Sequence, residues 1–126
     1  MKQEDLLSRG IISAAIEVHR NLGPGLLESV YQSCLMQELK LNGLEYEKEV
    51  PVCVEYKGIV IGDAYRLDLL VGNKLIVELK SVDNLTDKHK AQLLTYLRLM
   101  NRKLGILINF NELVLKHGVK RIVNKL

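Results

Sequence analysis

Asp68-Leu69-Leu70-Val71-Gly72-Asn73-Lys74-Leu75-Ile76-Val77-Glu78-Leu79-Lys80 reads as two short apolar strands joined by a Gly-Asn turn. Two carboxylates and a lysine stand on strands that are otherwise built for burial, and a buried charge is costly unless it is paired or binds a metal. Loop length decides where these charges point, because side chains alternate along a strand and cross-strand partners share a face. A two-residue loop at Gly72-Asn73 sends Asp68 and Glu78 to opposite faces. A loop of Val71-Gly72-Asn73 sets them diagonally across from one another, with Asn73 in the left-handed conformation that Asn tolerates. A loop of Gly72-Asn73-Lys74 makes them face each other directly. Either odd-length loop places Leu67, Leu69, Leu75, Val77 and Leu79 on one apolar face and Arg66, Asp68, Glu78 and Lys80 on the other. That sorting favours an odd-length loop.

Two carboxylates on one sheet face repel unless a cation lies between them. An oxygen-rich site with an open side suits Mg²⁺ or Mn²⁺. Lys80 points the same way as Glu78 and is suited to orienting a water or stabilising charge on a phosphate. Spacing alone leaves this reading level with a surface ion-pair cluster of Arg66, Asp68, Glu78 and Lys80.

The 126 residues suffice for one domain with its own core, and we expect a single unit over 1–126. A net charge of +3 permits nucleic-acid binding without demanding it. No apolar run approaches the roughly 20 residues that span a bilayer. The N-terminus lacks the apolar core of a signal peptide. Cys34 and Cys53 lack CxxC spacing and read as reduced core residues. The expectation is a cytoplasmic protein with no membrane partner.

Outward from the hairpin, Leu7, Ile11, Ala15, Val18 and Leu22 recur at helical spacing over residues 4–20. Asn21-Leu22-Gly23-Pro24-Gly25 breaks that helix. A second helix runs from about 26 to 42 and stops at Gly43. Glu28 lies in its first turn, where it suits the positive helix end or serves as a third carboxylate for the hairpin. His19 beside the break reads as a local hydrogen-bonding residue before it reads as a ligand. Residues 46–56, 59–71 and 74–80 form three strands of an antiparallel meander, the second bent around Gly62-Asp63. Residues 85–101 form a helix capped by Asp83 or Asn84, with Ala91, Leu94 and Leu97 facing the core. Gln92 and Tyr96 share a face of it. Residues 103–109 form a buried strand parallel to that of Glu78. Residues 112–117 form a last strand, and the basic tail to Lys125 is an edge strand or a solvated arm.

This order of elements, with Asp on the second strand and Glu-x-Lys on the third, resembles the PD-(D/E)xK nuclease superfamily. Gly25-Leu26-Leu27-Glu28-Ser29-Val30-Tyr31 resembles the signature of its GxxExxY group. Val18 to Pro24, Tyr65-Arg66-Leu67-Asp68, Val77-Glu78-Leu79-Lys80, Gln92-Leu93-Leu94-Thr95-Tyr96 and Gly105 to Phe110 fit the same pattern. The resemblance departs at the residue before Asp68, which is Leu67 where the motif name has proline.

The resemblance implies an α/β, restriction-endonuclease-like αβββαβ core, with a mixed central sheet flanked by helices and an extra N-terminal helix. It implies Asp68, Glu78, Lys80 and Glu28 as catalytic residues. Asp68, Glu78, Glu28 and the main-chain carbonyl of Leu79 would hold Mg²⁺ or Mn²⁺. Gln92, Tyr96, Tyr31 and Arg66 would support or contact the substrate. The implied activity is metal-dependent hydrolysis of nucleic acid, DNA before RNA, with a homodimer suited to cutting two strands. The competing expectation is a non-catalytic module that binds nucleic acid or protein on the same fold.

Overall fold

The computed structural model describes residues 2–126; Met1, the first residue of the expected unit, lies outside the described residues. Its elements run α1 (Gln3–Leu22), α2 (Glu28–Leu41), β1 (Tyr46–Tyr56), β2 (Ile59–Val71), β3 (Leu75–Lys80), α3 (Asp87–Met100), β4 (Leu104–Asn109) and β5 (Val119–Val123), with one 3₁₀ turn at Leu115–Gly118 before the last strand. The strands form one sheet in the order β1-β2-β3-β4-β5. Neighbours are antiparallel except β3 and β4, which lie parallel through the α3 crossover. This is a mixed α/β sheet of the restriction-endonuclease-like kind.

β3 and β4 are the inner strands of the crossover, and helices cover both of their faces. That is why they read as nearly unbroken apolar runs. Leu69, Val71, Leu75, Val77, Leu79, Ile106 and Ile108 pack under α1 and α2, with Ile11, Ala15, Val18, Tyr31, Leu35 and Leu39 opposite them. Leu70, Ile76 and Leu107 face the other way and pack with Leu93, Tyr96 and Leu97 of α3.

Several expectations need correction. Leu67 belongs to the α3-side cluster and not to the face of Leu69. Alternation fails there because regular β2–β3 pairing ends at Leu69↔Val77 and Glu49, across on β1, sits at φ 52. In α3 the buried residues are Leu93, Tyr96 and Leu97, whereas Ala91 is exposed. The cap of that helix is Thr86, whose hydroxyl accepts from the His89 N–H while the His89 ring accepts from the Thr86 N–H. Cys53 is exposed and Cys34 only partly buried, and both are free thiols.

Residues 112–117 are not a strand. Leu115 anchors a 3₁₀ turn, and pairing with β4 begins at Ile108↔Val119, within the segment expected as tail. Gly118 makes the turn possible, because a Cβ there would meet the Asn109 carbonyl oxygen at 2.6 Å.

Candidate active site

Val71 pairs with Leu75, so the hairpin closes through Gly72-Asn73-Lys74, with Gly72 (φ 59) and Asn73 (φ 57) both left-handed. Of the two odd-length loops, this is the one that opposes the carboxylates. Ladder pairing stops at Leu69↔Val77, and Asp68 and Glu78 are the next residues outward. There the side chains take over from the backbone. Glu78 Oε2 accepts the Asp68 N–H at 2.8 Å, and Asp68 Oδ2 accepts the Leu79 N–H at 2.8 Å. The N–H and C=O of one strand residue point to the same edge. The Leu79 carbonyl is therefore turned toward β2 along with its N–H.

This geometry sets the charge of the pair. Glu78 is buried, and burial is the main reason its carboxyl is pushed up to about 8, with the Asp68 charge adding to the effect. Burial also raises Asp68, helped by the Glu49 carboxylate and opposed by the Leu79 N–H and the Lys80 ammonium. Without a cation the pair holds on to a proton that either group would release in water. Lys80 follows Glu78 by two positions on β3, is half-buried, and its charge favours ionisation of both acids.

Glu28, the first residue of α2, accepts the Ser81 N–H through Oε1 at 3.3 Å. The Ser81 hydroxyl donates to the Leu26 carbonyl at 2.6 Å, tying the residue after Lys80 to the loop before α2. One turn along α2, Gln32 donates through Nε2 to the Asp68 carbonyl at 3.1 Å and to Glu49 Oε1 at 3.5 Å. Asn109, opposite Lys80 on β4, donates to the Val82 carbonyl and accepts from the Val82 N–H, so it holds the exit of β3.

Gln32, Ser81 and Asn109 were missed at the sequence level. Two of them carried a signal there: Gln32 lies four residues after Glu28, on the same helix face, and Asn109 stands within the Gly105 to Phe110 stretch that fits the family pattern. Among the described residues, no three His, Cys, Asp or Glu side chains gather into a preassembled metal cluster. The close acidic pair is Asp68 and Glu78, with Glu28 at the neighbouring backbone.

The expected substrate-contacting residues fall into different places. Tyr31 is fully buried and holds the loop before α2. Its hydroxyl donates to the Gly23 carbonyl at 2.6 Å and accepts the Leu26 N–H at 3.1 Å, and its ring stacks on Phe110 at 4.5 Å. Tyr96 is buried beside the pair. Its phenol is pushed up first by burial and then by the charges of Glu78, Tyr65 and Asp68. Gln92 is exposed one turn earlier on α3, and Arg66 is exposed and ion-paired with Asp63 at 3.0 Å. His19 lies apart from the site, its Nε2 2.7 Å from the Glu112 carbonyl oxygen.

All the donors of the pair are carboxylate or carbonyl oxygens, a set that fits a hard divalent cation able to replace the retained proton. Among the described residues no helix is long and apolar enough to cross a membrane.

No curated protein matches this chain. One solved structure that does match, described as the crystal structure of SSO0001, has 26% sequence identity and a TM-score of 0.57. The match covers 78% of this chain and 50% of that one, so the chain aligns with about half of the other protein's length. The family model for the PD-(D/E)XK nuclease superfamily matches residues 5–122, a span that contains the opposed carboxylates, Lys80 and every element that positions them. The chain therefore belongs to the PD-(D/E)XK nuclease superfamily.

Proposed function

We propose that this chain is a metal-dependent nuclease of the GxxExxY group, a single domain over residues 1–126 that hydrolyses phosphodiester bonds, in DNA before RNA, in the cytoplasm. The observation that carries the reading is the opposed Asp68–Glu78 pair with Lys80 beside it on β3. Asp68, Glu78 and the Leu79 carbonyl would hold the metal, Mg²⁺ or Mn²⁺, which when bound polarises a phosphate and lowers the pKa of a water.

The chain's own residues do the rest. The Lys80 ammonium orients a water or offsets charge growing on phosphate oxygens, and its main chain is held because Lys80 pairs with Asn109 on β4 and the preceding Leu79 N–H is bound by Asp68. Gln32 fixes the main chain at Asp68, and Glu28 with Ser81 fixes the chain just after Lys80. A groove lined by Leu26, Leu27, Glu28, Ser29 and Ser81 opens beside that point and offers an apolar wall to a sugar or base.

A second reading has one observation in its favour. Glu28 is engaged with a backbone N–H, and among the described residues no three acids gather into one cluster, as suits a module that binds nucleic acid without cutting it. Labelled single-stranded DNA, duplex DNA and RNA, incubated with Mg²⁺, Mn²⁺ or EDTA, separate the two. The nuclease reading expects cleavage that needs the metal and vanishes in Asp68→Ala. Normal cleavage by Asp68→Ala would show that the site is misassigned. Salt-sensitive binding with no turnover under any condition would favour the module.

A further inference from the structure

β2 pairs with β3 only over Leu69–Val71, whereas its pairing with β1 continues to Tyr56↔Ile59. The outer halves of β1 and β2 therefore form a two-stranded ribbon that leaves the sheet. The pairs Val52↔Tyr65, Val54↔Ile61 and Tyr56↔Ile59 put six apolar side chains on one face of it. Val52 at its root is buried with Tyr96 in the α3-side core. Outward from there the same stripe runs into solvent, with Tyr65 51%, Ile61 44%, Ile59 56% and Tyr56 60% exposed. The opposite face, with Cys53, Glu55 and Val60, is mixed. A continuous apolar patch of a few hundred Å² is often a functional surface.

From this we infer that the apolar face of the β1–β2 ribbon is the surface through which two copies of this chain associate.

Area points to a second copy, and charge does not oppose it. Over residues 53–66 the charges balance: Glu55, on the opposite face, and Asp63 offset Lys57, whose ammonium lies 5.3 Å over the Tyr56 ring, and Arg66, which is paired to Asp63. A ribbon of no net charge does not repel a second copy of itself, as a two-fold interface requires. At about 200 Å² per large side chain, the exposed parts of these four residues come to ~400 Å² on each copy. A pair buries ~800 Å² of apolar surface and, if about 65% of the interface is apolar, ~1,200 Å² in all, the lower end of stable interfaces. The outer edge of β1 is a poor alternative, because Glu47, Lys48, Glu49 and Pro51 discourage strand addition there. Tyr65 also rests on Tyr96, ring centroids 6.2 Å apart, so the contact begins beside the carboxylate pair.

Sedimentation equilibrium of the full chain in EDTA tests this without reference to cleavage. The wild type should form dimers as its concentration rises to about 200 µM, far above a micromolar dissociation constant. Ile61→Asp and Ile61→Lys should each be monomeric with unchanged circular dichroism, an equimolar mixture of the two should associate again, and Val60→Asp on the opposite face should dimerise like the wild type. A monomeric wild type would overturn the inference, as would dimers that Ile61→Asp leaves intact. If the wild type stayed monomeric and bound single-stranded oligonucleotide in EDTA, with the binding lost in Ile61→Asp and kept in Val60→Asp, the face would be assigned to nucleic acid instead. The sedimentation outcomes do not bear on the nuclease reading, because that assay holds no metal and no nucleic acid.

Discussion

Replacing Glu78 with Gln should stabilise the metal-free protein at alkaline pH while removing its response to metal. The carboxyl of Glu78 is raised from an ordinary 4.5 to about 8, chiefly by burial and then by Asp68. A raised carboxyl binds its proton more tightly in the folded chain than in the unfolded one. Its contribution to stability is therefore complete below about pH 4.5 and is lost as pH rises toward 8. Across that window the loss is on the order of a few kcal/mol, shared with Asp68 because the two acids titrate together.

Gln keeps the shape of Glu. Its amide oxygen can accept the Asp68 N–H, which now goes to Glu78 Oε2 at 2.8 Å, and its amide nitrogen can donate to the Asp68 carboxylate. In EDTA the variant and the wild type should melt together near pH 5. Near pH 9 the variant should melt roughly 5–15 °C higher, at a few degrees per kcal/mol for a chain of this size. Thermal unfolding followed by circular dichroism over this pH range reads the difference directly. If Glu78→Gln were no more stable than the wild type at high pH, the picture of a buried, proton-retaining pair would be refuted.

Three further expectations follow from the same contacts. Adding Mg²⁺ or Mn²⁺ should raise the melting temperature of the wild type, more at pH 8 than at pH 6, because the metal competes with the retained proton; isothermal titration should show proton release that depends on buffer. Tyr31→Phe keeps the stack on Phe110 but loses the hydroxyl bonds to Gly23 and Leu26, so it should cost about 1–2 kcal/mol in urea denaturation and lower activity by loosening the loop before Glu28. Gly118→Ala should destabilise by about 1–3 kcal/mol by the same assay, since its Cβ would press on the backbone oxygen of Asn109.

The hairpin was legible because its information is local. Gly72 and Asn73 suit left-handed backbone, and the sorting of Leu75, Val77 and Leu79 from Glu78 and Lys80 required an odd loop. The meander and the parallel strand beyond α3 followed from pattern in the same way. The face of α3 was misread because Leu93, Leu94 and Leu97 allow two apolar stripes, and the sheet beneath selects the one containing Tyr96. The final strand was misplaced because Gly118 answers to Asn109, a contact that local composition cannot signal. The supports of the site were hidden for a similar reason. Gln32, Ser81 and Asn109 bind main-chain groups 36, 55 and 27 residues away, so their roles exist only once the topology does. The burial of Tyr31 and its bonds to Gly23 and Leu26 were not legible from its motif, because a residue that holds a loop and one that contacts substrate look alike in a single sequence.

The most direct test of the central claim is single-turnover cleavage of a labelled oligonucleotide by wild type and Lys80→Ala at saturating Mg²⁺, with the metal-induced rise in melting temperature measured on the same samples. The account predicts that Lys80→Ala still shows the rise, because Asp68 and Glu78 remain, while its cleavage rate falls about 10²–10³-fold or more. Cleavage by Lys80→Ala at the wild-type rate would contradict it.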